Sequence, residues 1–163
     1  MRERTLFSEV LLNRPLDEVF PFFAAPENLN ALTPPWLHFR ILTPTPIPMR
    51  VGQTIAYSIR VRGIPMRWLS RITAFDPPRR FVDEQVRGPY ALWRHEHLFE
   101  ALGRRTRCID RVAYRIPLDV PLNPVSAVVH RLLVRPELER IFAFRRGAML
   151  ERFAPHDGGA AQP

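Results

Sequence analysis

Arginines and rings alternate along a run of short segments that prolines and glycines cut to length, and this confines the middle of the chain to antiparallel strands. Strand side chains point to opposite faces with period two. In Gly88–Phe99, GPYALWRHEHLF, that period puts Trp93, His95, His97 and Phe99 on one face and Arg94 and Glu96 on the other. The same split sets Ile55, Tyr57, Ile59 and Val61 against Arg60 and Arg62, Met66, Trp68, Ser70 and Ile72 against Arg67 and Arg71, and Val112 and Tyr114 against Arg111 and Arg115. Breaks at Pro44–Pro48, Gly63–Pro65, Asp76–Pro78, Gly88-Pro89 and Gly103 predict strands near 37–43, 53–62, 65–75, 79–87, 90–101 and 105–116. Consecutive hairpins imply a meander with an aromatic, partly polar concave side and an arginine-coated outer side.

Before the meander, Thr5–Leu12 reads as a strand, and Pro15 with Asp17 and Glu18 suits the start of a helix that buries Val19, Phe20, Phe22 and Phe23. A second short helix is expected from Pro26 to just before Pro34-Pro35. After the loop Pro117–Pro124 the period becomes helical: Val125, Val128, Val129, Leu132 and Leu133 share a face that Leu138, Ile141, Phe142, Arg145, Met149 and Phe153 continue. Pro136 lacks a backbone donor and should kink or restart this helix, giving two pieces rather than one straight rod. The order predicts an α+β chain in which a curved, seven-stranded antiparallel sheet wraps around a long C-terminal helix, with two short helices after the first strand. Residues 1–153 are expected to form a single domain, and the small and polar residues 154–163 a frayed tail.

Composition narrows function. All 24 basic residues are arginines against 16 acidic ones, for a formal charge of +8, so a Schiff-base lysine and a lysine-bearing phosphate loop are excluded. Cys108 is the lone cysteine, which rules out an internal disulfide or a CxxC metal site and suits a reducing cytoplasm. The chain shows no stretch of membrane-spanning length and no export signal, so a cytoplasmic protein is expected. Parity separates rings from arginines, which argues against a specific nucleic-acid partner. The outer arginines leave room for weak, salt-screened contact with anionic membranes. Monomer and dimer both stay open.

The order of elements resembles the SRPBCC superfamily, also called START-like or helix-grip, over roughly residues 3–153. The resemblance is carried by Pro15-Leu16-Asp17-Glu18-Val19-Phe20, Leu32-Thr33-Pro34-Pro35-Trp36, Phe81-Val82-Asp83-Glu84-Gln85, Gly88-Pro89-Tyr90 with Trp93, His95, His97 and Phe99, and Asp110-Arg111-Val112 with Tyr114. It is nearest to small bacterial ligand-binding members that stand beside polyketide cyclases, dehydrases and coenzyme Q-binding proteins. It implies a deep cavity between sheet and final helix that holds an apolar small molecule, and it implies that Asp83 and Gln85 face inward. It does not imply one reaction.

Tyr57, Trp68, Ser70, Trp93 and Tyr114 suit a binding hollow better than a dry core, and Ile141, Phe142, Arg145 and Met149 are expected to border it from the helix, Arg145 being able to meet a ligand carboxylate. Asp83, Gln85, His95, His97, Asp110 and Tyr114 form a second constellation, since such groups must pair, hold water or face a ligand. The first expectation is a carrier or sensor of a lipid, isoprenoid quinone or polyketide-like molecule, with no cofactor. An alternative is a cyclase or dehydratase using His95 or His97 as general base with Asp83, Asp110 or Tyr114 assisting. A metal site on His95 and His97 is a further alternative; Glu100 has the wrong parity, and His38, His130 and His156 lie in other elements.

Overall fold

In the computed structural model, which describes residues 2–117 and 124–155, one antiparallel sheet carries seven strands: β1 (Arg4–Leu12), β2 (Arg40–Ile41), β3 (Thr54–Val61), β4 (Ile64–Asp76), β5 (Arg80–Arg87), β6 (Leu92–Leu102) and β7 (Arg105–Arg115). Their order is β1-β7-β6-β5-β4-β3-β2. Strands β2 to β7 follow one another as a meander, and β1 returns to pair with β7, Arg4 opposite Tyr114 and Leu12 opposite Thr106. The alternation is sharpest on β6, where Trp93, His95, His97 and Phe99 are buried between less buried neighbours. Arg60, Arg62, Arg67, Arg71 and Arg111 are exposed and Arg94 and Arg115 half-buried. Arg94 lies 3.3 Å from Glu84 and Arg111 4.0 Å from Glu96.

Helix α1 (Leu16–Phe23) begins one residue later than its proline suggests, because Pro15 is extended and caps it: its carbonyl accepts from the N–H groups of Glu18 and Val19, each at 3.1 Å. The second short helix, Pro26–Leu32, is a 3₁₀ helix, and a further 3₁₀ turn, Pro35–Leu37, ends at His38 with a left-handed backbone, φ 46°. That turn takes residues expected in a strand over 37–43, so β2 is reduced to two residues. Phe20, Phe22 and Phe23 of α1 pack with Phe99, Met149 and Phe153 into a dense core at one end of the sheet. Phe20 meets Phe99 edge-on at 5.4 Å, and Phe22 meets Phe153 at 5.5 Å.

The terminal helix runs as α2 (Pro124–Val129), a π turn (His130–Val134) and α3 (Arg135–Arg152), with helical backbone at both junctions. Pro136 therefore does not split it. The π turn absorbs the missing donor: the N–H of Arg135 reaches back five residues to the carbonyl of His130. The extra residue also shifts the helix phase. Ser126 is buried, His130 and Val134 are half-buried and Leu138 is buried, a spacing of four, so the apolar face read across Pro136 is not continuous. Leu138, Phe142, Arg145 and Met149 are buried, whereas Val125, Val128, Val129, Leu132 and Leu133 are exposed. Most of the loop 117–124 and the tail from His156 lie outside the described residues.

Candidate functional site

Between the concave face and the helix lies a cavity of about 410 Å³. Strand alternation supplies its rings from β3, β4 and β6. Tyr57 on β3 stacks on its cross-strand partner Trp68 on β4, centroids 5.8 Å apart, and Trp68 meets Trp93 on β6 edge-on at 5.4 Å. Phe142 of α3 and Phe39, Tyr90, Ile59 and Met66 complete an apolar wall. Rings packed against one another at these distances form a firm surface for a flat apolar ligand.

Where the cavity meets β5 and β6, the wall becomes polar through Ser70, Asp83, His95 and His97. Sheet register assembles them: Asp83 is opposite His95, and His97 is opposite Asp110. The Trp68 indole N–H donates to Ser70 Oγ at 3.1 Å, and the Ser70 hydroxyl donates to Asp83 Oδ1 at 3.3 Å. His97 Nε2 is 3.1 Å from Asp83 Oδ2, and its Nδ1 is 3.0 Å from Asp110 Oδ1. His95 Nε2 is 2.9 Å from the same Asp110 oxygen, while its Nδ1 is 3.9 Å from Asp83. Arg145 donates to Asp110 from Nε at 3.0 Å and from Nη2 at 3.3 Å. Two carboxylates, two imidazoles and one guanidinium thus form a closed chain.

The two histidines lie in unlike fields. Burial lowers the pKa of both, but for His97 the contacts with Asp110 and Asp83 outweigh it and raise the value above the ordinary 6.5. A carboxylate beside each ring nitrogen suits the doubly protonated form. The Arg145 Nη2 contact to His97 Nδ1, at 3.4 Å, is longer than the Asp110 one. His95 goes the other way: burial and the adjacent charge of His97, ring centroids 3.8 Å apart, hold its pKa below 6.5. Burial disfavours ionised Asp110, yet Arg145, then His95 and His97, hold its carboxyl well below the usual range. Asp83 is lowered too, His97 prevailing over burial. The opposed imidazole shifts favour the protonated form of His97 and the neutral form of His95. Its Nε2–H donates to Asp110, which leaves Nδ1 as the lone-pair nitrogen.

Of the residues expected at the site, Tyr57, Trp68, Ser70, Asp83, Trp93, His95, His97, Ile141, Phe142 and Arg145 line the cavity. Four expected positions do not line it. Gln85 has its carboxamide on the backbone of Tyr90, at 2.7 Å and 3.2 Å, and braces the β5–β6 loop over Gly88. Met149 packs into the phenylalanine core. Tyr114 turns its hydroxyl to His130 Nε2 at 2.8 Å, and Asp110 stands behind the histidines. Arg145 is committed to Asp110, so it does not offer a free fork to a ligand carboxylate. Asp83, with His95 and His97, supplies the third metal donor that sequence spacing did not reveal, their ligand atoms lying within 4.8 Å of one another. A cation there would have to compete with the Asp110 contacts of both imidazoles. Phe39 and Tyr90 were missed as lining residues; the ring at position 39 falls in a segment too irregular for parity to place.

The sequence profile described as polyketide cyclase/dehydrase and lipid transport matches residues 12–135. No curated protein sequence matches the chain. Among solved structures, the Zhui aromatase/cyclase from Streptomyces sp. R1128 is similar with a TM-score of 0.72 at 22% identity, covering 98% of this chain and 100% of that one. A START superfamily protein from Mycobacterium smegmatis gives 0.61 at 14% identity, covering 91% and 97%, and the major latex-like protein 151 of Panax ginseng 0.61 at 11%, covering 94% and 99%. At these identities the likeness shows the helix-grip fold.

Proposed function

Because the chain belongs to the polyketide cyclase/dehydrase and lipid transport family, we propose that it binds a mainly apolar, uncharged, ring-bearing or isoprenoid small molecule between sheet and helix, as a carrier or sensor. The observation that carries this reading is a ring-walled cavity of about 410 Å³ lined largely by apolar side chains. Among the described residues, a desolvated ligand carboxylate would find the lining guanidinium, Arg145, already paired with Asp110. A hydroxyl or keto group could instead meet Ser70, Asp83 or His95. Native mass spectrometry of the protein purified from its own host should release one bound apolar molecule per chain. Isothermal titration should show naphthol binding more tightly than naphthoate by about tenfold or more. Equal or tighter binding of naphthoate would remove the claim of an uncharged ligand.

The opposed pKa shifts of His95 and His97 favour a second reading, acid–base chemistry on a ketone-bearing chain. A neutral imidazole oriented by Asp110 suits a general base, and protonated His97 beside Asp83 suits an acid. The carrier reading expects His95→Gln to change affinity modestly with no turnover to lose. A fall in turnover of about 100-fold to 10,000-fold at unchanged affinity would establish the enzymatic reading instead.

A further inference from the structure

The first half of the terminal helix is inside out. Its polar side chains face the body: Ser126 is only 7% exposed, and His130 meets the Tyr114 hydroxyl at 2.8 Å. Its apolar side chains face away, with Val128 53%, Leu132 61% and Leu133 43% exposed, joined by Val125 and Val129. Their spacing makes one stripe, set by the π turn that brings 126, 130 and 134 inward. Such a contiguous apolar surface on a lone chain marks an interaction site.

Two observations identify the occupant. The segment 124–134 contains Arg131 and no acidic residue, the next residue, Arg135, is paired with Glu139 at 2.7 Å, and Arg4 lies nearby, its strand partner being the same Tyr114 that holds His130. An apolar stripe flanked by arginines fits the interface of an anionic bilayer, where side chains enter the acyl boundary and guanidiniums meet headgroups. A second copy fits less well, because a two-fold contact through this stripe would bring Arg131 towards Arg131. The stripe also adjoins the cavity: Val129 is both exposed and part of the cavity wall, and the half-buried Val134 lines the cavity beside it.

We propose that Val128, Leu132 and Leu133, with Arg131, dock the protein on anionic lipid bilayers at the cavity edge. The docking surface is distinct from the arginines of the outer sheet face, and it does not depend on whether the cavity carries or converts its ligand. The test is flotation of the full chain with vesicles of phosphatidylcholine alone or mixed with phosphatidylglycerol, at low and physiological salt. The unchanged protein should bind only the mixed vesicles. Val128→Ser with Leu132→Ser should weaken that binding about tenfold or more, while near-ultraviolet circular dichroism stays native because both side chains point outward. Arg67→Glu with Arg71→Glu should weaken it much less. Three results would overturn the proposal: no binding of the unchanged protein, binding unaffected by the two serines, or a dimer in sedimentation that the two serines dissociate.

Discussion

Arg145→Met should cost about 3–5 kcal/mol of stability, measured by urea denaturation at neutral pH, because it strands an ionised carboxylate. Asp110 is 5% exposed and takes both forks of the guanidinium. Without Arg145 only the two imidazoles oppose the burial of its charge, so its carboxyl pKa should rise. The companion variant Asp110→Asn/Arg145→Met removes both charges and should recover much of the loss, since a buried pair replaced as a pair is often near neutral. Should Arg145→Met cost under about 1 kcal/mol, the range of ordinary surface changes, the ionised pair would not be what organises this end of the cavity.

Stability should peak near pH 6.5, with a steep acid limb. Asp83 and Asp110 have folded pKa values below the ordinary 3.8, so their stabilising effect is complete above that value and is lost as pH falls through the folded ones. His95 is held below 6.5, so its contribution as a neutral ring is complete above 6.5 and is lost as pH falls through its folded value. His97 is raised, so its contribution is complete below 6.5 and is lost as pH rises through its folded value. The acid limb therefore sums three groups and the neutral-to-alkaline limb begins with one. Thermal melts from pH 3 to 9 should show this asymmetry, and His97→Gln should flatten the decline between the ordinary imidazole value of 6.5 and the ordinary thiol value of 9.0. Beyond that range Cys108, pushed up to about 12 by burial, adds a limb of its own. A profile that climbs steadily from pH 6.5 to 9 would mean that His97 does not hold a proton in the folded protein.

The two variants bear on function in different ways. Arg145 acts through Asp110 on the orientation of His95, so its loss should disturb any acid–base chemistry along with stability. The outer helix stripe is separate from that network, and changing it should leave the pH profile as it is.

Period-two alternation was enough to find the meander and to sort rings from arginines, because each strand has one buried and one wetted face and its side chains must obey the pleat. His95 and His97 declared their shared face in the same way, and so did Trp68 and Ser70. What the sequence could not give was the pairing between strands. Asp83 lies beside both histidines only because β5 registers on β6, and the irregular pairing of β4 with β5 around Leu69–Ser70 and Ile72–Ala74 obscures any parity argument carried across from β4. Arg145 sits some three dozen residues beyond Asp110 in sequence and reaches it only once the helix closes over the sheet. The helix shows the same division. Its apolar period was legible on both sides of Pro136, but the five-residue turn that accommodates the proline adds a residue and rotates one half against the other. Which side chains share a face within one strand or one helical half thus follows from residue order alone, because local backbone geometry fixes that. Which faces meet is set by the fold, since register, helix phase and closure arise from contacts between segments far apart along the chain.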